Sequence, residues 1–112
     1  MSLSLTLVFD KYRRDHDPII ASNRIKFEGD AVSLREALKP VTLPLPTGVE
    51  WLTEDVGLKL FKTDPYDDEL TFVSAGLLAQ RLNEAAQGAW GKAVAEFVQA
   101  LPPDSRVVLW WH

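Results

Sequence analysis

Leu3, Leu5, Leu7 and Phe9 alternate with Ser2, Ser4, Thr6 and Val8 at the start of the chain. A period of two is that of a strand, and it predicts one buried face. Residues 24–28 alternate again as a weaker second strand, with Ile25 and Phe27 turned inward. The spacing then changes. Leu34, Ala37 and Leu38 share one side of a short helix over residues 31–39, and Pro40 ends it. Residues 57–62 and 70–73 read as two strands that pair across residues 63–69, where Asp64-Pro65 starts a turn. Ser74 is placed to cap a helix over residues 75–86, with Leu77, Leu78, Arg81, Leu82 and Ala85 at helical spacing. Trp90, Ala93, Val94, Phe97, Val98 and Leu101 then form one apolar stripe, the clearest helical pattern in the chain. This stripe is expected in the core, and Phe97→Ala is expected to cost about 3–5 kcal/mol on that basis. Pro102-Pro103 stops the helix, and Arg106 to Trp111 is β-branched and aromatic, as strands are.

The predicted order is β-β-α-β-β-α-α-β. It describes an α+β fold, a mixed or antiparallel sheet with helices on one face, in a single globular domain over residues 1–112. Residues 10–23 form a long polar connection, and residues 41–48, with Pro44, Pro46 and Gly48, an extended connector. Trp110 and Trp111 are neighbours in a strand, so they face opposite ways. With helices on one face only, one of the two is left exposed or meets a partner.

Composition narrows the function classes. The 112 residues include no cysteine, which removes disulfides, thiolate nucleophiles and cysteine metal sites, and fits a cytoplasmic, reducing compartment. No apolar run approaches membrane-spanning length. Net charge is −4, and it is concentrated: residues 50–69 carry seven carboxylates against Lys59 and Lys62. An acidic chain is a poor fit to direct nucleic-acid binding, which needs a cationic face.

Residues 89–112 read AWGKAVAEFVQALPPDSRVVLWWH. This stretch resembles the end of small uncharacterised proteins of phages and prophages, which close with a helix, a Pro-Pro-Asp turn and a terminal Trp-His. Asp64-Pro65-Tyr66 followed by Leu70-Thr71-Phe72-Val73 resembles them too. The resemblance covers the C-terminal half. It implies a genomic origin and no activity, so no residue inherits a role from it.

Candidate chemistry is sparse. Asp15-His16-Asp17 has the residue types of a metal-dependent hydrolase, but adjacent side chains converge on one ion only if the loop folds back. Lys11, Tyr12, Arg13 and Arg14 have the types of a phosphate contact, and Asp10, Asp15 and Asp17 cancel most of their field. Ser74-Ala75-Gly76 precedes a helix as an anion loop does, yet lacks the glycine spacing and lysine of one. The acidic segment interleaves Trp51, Glu54, Asp55, Tyr66, Asp67, Asp68 and Glu69. Carboxylates steer a basic partner and aromatics anchor it. That segment is the candidate docking surface, with Trp110 and Trp111 as secondary candidates. The expected function is therefore a small acidic regulator, inhibitor or accessory factor that binds another protein, with no catalytic residue, metal or cofactor. The rival readings are a nucleic-acid mimic, a hydrolase built on Asp15-His16-Asp17, and an oligomeric structural protein.

Overall fold

A computed structural model describes residues 3–9, 23–27, 31–53, 57–64 and 68–112. Its strands are β1 (Leu5–Phe9), β2 (Asn23–Phe27), β3 (Leu43–Pro44), β4 (Val49–Thr53), β5 (Gly57–Phe61), β6 (Thr71–Ser74) and β7 (Arg106–Trp111). Its helices are α1 (Ala31–Leu38), α2 (Ala75–Ala85) and α3 (Ala89–Gln99). The fold is α+β, with the expected order of helices and strands. Five strands form one antiparallel sheet in the order β2-β1-β7-β6-β3, and β4 and β5 form a separate pair. Among the described residues, no helix is long and apolar enough to cross a membrane.

The alternation in β1 places Leu5, Leu7 and Phe9 under the helices. They join Phe27, Val73, Val107 and Leu109 from the other strands in the main core. Leu34 and Leu38 of α1, Leu78 and Leu82 of α2, and Val94 and Val98 of α3 cover them. Ser74 caps α2 as its position predicts, its hydroxyl accepting from the Leu77 amide at 3.5 Å. The two amides before that are also taken: Ala75 donates to the Ser105 carbonyl and Gly76 to that of Pro103. The helix start is thus an ordinary cap tied to the 103–105 turn.

The second face of the sheet is covered as well. The expectation that β1 buries one face is corrected: Thr6 and Val8 are buried along with Leu5, Leu7 and Phe9. Residues 41–48, expected as a connector, contribute β3 and then cross this face. Leu45 and Val49 pack there with Val8, Leu70 and Val108 in a second, smaller core. Arg106 holds the crossing in place by donating to the carbonyls of Thr47 (2.6 Å) and Gly48 (3.2 Å). Glycine is required at position 48, because a Cβ there would stand 2.7 Å from the Phe61 carbonyl oxygen.

The expected pairing of residues 57–62 with 70–73 is also corrected. β5 pairs with β4, and β6 pairs with β7 and β3. Among the described residues, a bridge between Thr63 and Glu69 and the bonds from the Leu70 amide to the Lys62 carbonyl and from the Asp64 amide to the Asp68 carbonyl join the end of one segment to the start of the other. The seven residues 63–69 between them are too many to impose tight hairpin register.

The stripe of α3 is rotated from its expected position. Gly91, Val94, Ala95 and Val98 are the buried residues, whereas Trp90 is 58% and Phe97 47% exposed. Gly91 and Ala95 are small, and a face of small residues allows α3 to approach α2 closely. The largest apolar residues then lie on the rim. Trp90 donates its indole N–H to the Lys26 carbonyl on the edge strand β2 (3.1 Å), and Phe97 meets Phe9 edge-on at 5.4 Å. Phe97→Ala is therefore expected to cost about 1–3 kcal/mol, one aromatic pair plus the partial burial of the ring, and less than a fully buried aromatic. Urea denaturation checks this, and a loss above about 3 kcal/mol would place Phe97 back in the core.

Candidate functional site

β1, β7 and β6 end together at one end of the sheet. Antiparallel pairing brings Leu5 opposite Trp111 and Thr71 opposite Leu109. Ser4 and His112 exchange both backbone hydrogen bonds, at 2.7 and 2.9 Å, which carries the β1–β7 ladder one step past the strand. The two faces of this end are chemically different, because Trp110 and His112 point one way and Trp111 the other.

Trp110 and His112 lie on the second face with Thr6 and Asp64. Asp64 is only 6% exposed. One of its carboxylate oxygens accepts from the Trp110 indole at 3.1 Å and the other from the Asp68 amide at 2.9 Å. Arg24 sits over the Trp110 ring at 5.3 Å, a cation–π distance. The His112 ring lies 4.5 Å from that of Trp110, and its Nε2 is 2.7 Å from the Thr6 hydroxyl. This is a closed polar cluster. Trp110 is half-buried within it.

Desolvation holds the His112 imidazole below its ordinary value; Lys26 and Arg24 push it the same way, and Asp64 opposes them. A ring that resists protonation in the fold favours the unfolded state as pH falls. Its contribution is complete above the unfolded value of 6.5 and is lost as pH drops through the lower folded value. Between pH 7.5 and 5, wild-type protein is accordingly expected to lose more stability than His112→Gln, measured by urea denaturation at each pH. An equal or smaller loss in the wild type would contradict the assignment.

Trp111 opens on the other face. It is half-buried against the main core together with Leu3, and it floors a cleft of about 610 Å³. Arg35, Glu36 and Lys39, from α1 and the turn after it, line it together with Thr71 and Glu69. An adjoining hollow of about 450 Å³ shares Leu3, Arg35, Glu69 and Trp111 and reaches Asp68. Arg35, on α1, and Lys39, the first residue of the 3-10 turn that continues it, are both exposed and four residues apart.

Compared with known proteins, the chain matches no family model, no curated protein and no solved structure.

The candidate residues from the sequence are thus divided. Asp68 and Glu69 are exposed and belong to the cleft, as does Trp111. Trp51 stands in β4 opposite Lys59. Glu54, Asp55, Tyr66 and Asp67 lie outside the described residues, as do Asp15-His16-Asp17 and the Lys11-Tyr12-Arg13-Arg14 cluster. Among the described residues, no three of His, Asp and Glu come together in a way that could hold a metal ion. Arg35 and Lys39 were not among the candidates. Their i, i+4 spacing was visible, but two cations on the polar side of a short helix read as an ordinary solvated face. Only the position of Trp111 beside them gives that spacing a use.

Proposed function

We propose that this chain works by binding another protein, and that the cleft over Trp111 is where it binds. One observation carries the reading: Trp111, Glu69 and the Arg35–Lys39 pair come from three separated parts of the sequence and converge on one concave surface. A half-buried tryptophan supplies anchor area at little entropic cost, and charged rims steer encounter. Among the described residues that line the cleft, no nucleophile is paired with a base, which suits recognition better than turnover. Asp64 faces inward and leaves Asp68 and Glu69 at the surface, which favours protein docking over a phosphate-like row of carboxylates. An acidic regulator or accessory factor of the cytoplasm, of phage or prophage origin, fits the resemblance of residues 89–112.

Photo-crosslinking tests this. A benzoylphenylalanine at position 42, beside the cleft, should give one discrete adduct in cells that carry the gene. Lys39→Glu should weaken the adduct, and the same probe at position 80, in the groove between α2 and α3, should not give it. No adduct at position 42, or the same adducts at both positions, would overturn the proposal.

A further inference from the structure

Among the described residues, β4 and β5 bond to each other and to no strand of the five-stranded sheet. A two-stranded ribbon is marginally stable in water by itself, so this pair depends on its anchors. Leu45 and Val49, on the way into the ribbon, are buried in the second core with Val8, Leu70 and Val108. On the way out, the Leu70 amide donates to the Lys62 carbonyl. Arg106 supplies a third anchor. Parity along β7 puts it on the face of Val108 and Trp110. Its guanidinium donates to the carbonyls of Thr47 and Gly48, directly before β4. Among the described residues, these are the hydrogen bonds that hold residues 45–48 to the main sheet. Both come from a charged donor, which makes each stronger than a neutral bond.

The rest of the domain does not lean on this part of the chain. Among the described residues, the main core draws none of its members from residues 45–61, and neither does the ladder β2-β1-β7-β6-β3. We propose that residues 45–48 with β4 and β5 open as one unit while the rest of the domain stays folded, and that Arg106 is the latch that keeps the unit closed. Opening breaks the two Arg106 bonds, withdraws Leu45 and Val49 from the second core and lets the ribbon unpair. It uncovers Val8 and Val108 on the inner strands β1 and β7. The helix-side core survives it, because its contacts do not pass through the unit. Parts of a fold held by few buried contacts open at a lower free energy than the whole. The device is separate from the cleft over Trp111, which lies on the other face of the sheet.

Amide hydrogen exchange of the full chain, followed by NMR at several low urea concentrations, tests this. In the wild type the bonded amides of β4 and β5 should exchange through one shared opening. Its urea dependence should be weaker than that of the β1 amides, because a local opening exposes less surface than unfolding does. Two variants then separate the latch from the core. Arg106→Lys replaces the two-pronged donor with a single point charge. It should speed exchange in β4 and β5 about tenfold or more, as for the loss of one bond to a charged donor. Val98→Ala trims a buried side chain of the helix-side core. It should speed exchange in β1, which waits for unfolding, and leave β4 and β5 unchanged, because the open state keeps the Val98 contacts. If Val98→Ala speeds β4 and β5 as much as β1, or if the two groups share one urea dependence, the unit opens only with the whole fold and the proposal is overturned. Unprotected β4 and β5 amides in the wild type would overturn it too, since nothing would then be latched. If Arg106→Lys leaves β4 and β5 unchanged, Arg106 is not the latch.

Discussion

Leu82→Ala should lower the free energy of unfolding by about 2–5 kcal/mol, the range for truncating a buried leucine. Leu82 is fully buried on α2, packed in the cluster that α1, α2 and α3 form over the sheet. Removing its side chain subtracts transfer energy and leaves a cavity that several helices would have to move to fill. For a domain of this size the melting temperature should fall by about 10 °C or more. Leu77, five positions earlier on the same helix, is 40% exposed and provides the control. Leu77→Ala should cost about 1 kcal/mol or less, because half of its surface already meets water. Urea denaturation with an unchanged slope would show that the loss is one of stability and not a change in the unfolded state. Similar losses at positions 77 and 82 would mean that α2 is rotated from the position described.

Asp64→Ala should be the second large loss, about 1–3 kcal/mol, the cost of stranding buried donors. The carboxylate links two distant parts of the chain, since one oxygen takes the Trp110 indole of β7 and the other the Asp68 amide in the turn before β6. Asp64→Asn keeps the shape and one acceptor oxygen, so its loss should lie between those of the wild type and Asp64→Ala. Urea denaturation of the three proteins gives the order. If Asp64→Ala costs less than about 0.5 kcal/mol, the cluster around Trp110 is not contributing to the fold.

Asp64 also shows how far the sequence could be read. Asp64-Pro65 is a turn signal whose central residues lie outside the described ones, and on either side of them the Asp64 amide donates to the Asp68 carbonyl at 2.8 Å. That the same carboxylate would be buried against Trp110 could not be read, since 46 residues separate the partners. The acids of a docking surface are expected in solvent, and Asp68 and Glu69 are exposed, whereas the buried Asp64 meets the need of an indole N–H under a covered sheet face for an acceptor.

The α3 stripe and the 41–48 connector failed for a related reason. Both were judged by residue type. Trp90 and Phe97 are the largest apolar residues of α3, yet the small Gly91 and Ala95 are buried while those two stay about half exposed. Pro44, Pro46 and Gly48 mark residues 41–48 as irregular, which they largely are. Irregular chain can still cover a sheet face when it carries apolar residues at the right points, as Leu45 does.

By itself, the sequence determined what repeats locally. The alternation of Leu3 to Phe9 specified a strand and its helix-side face, Ser74 the start of α2, Pro102-Pro103 the end of α3, and the parity of Trp110 and Trp111 their opposite directions. These depend on periods of two and 3.6 and on backbone groups a few residues apart. Tertiary structure alone decided which strands became neighbours, what covered the second face, and that α1 would set Arg35 and Lys39 beside Trp111. Those outcomes follow from competition among many long-range contacts, each weak by itself, and no short window of sequence contains more than one side of any of them.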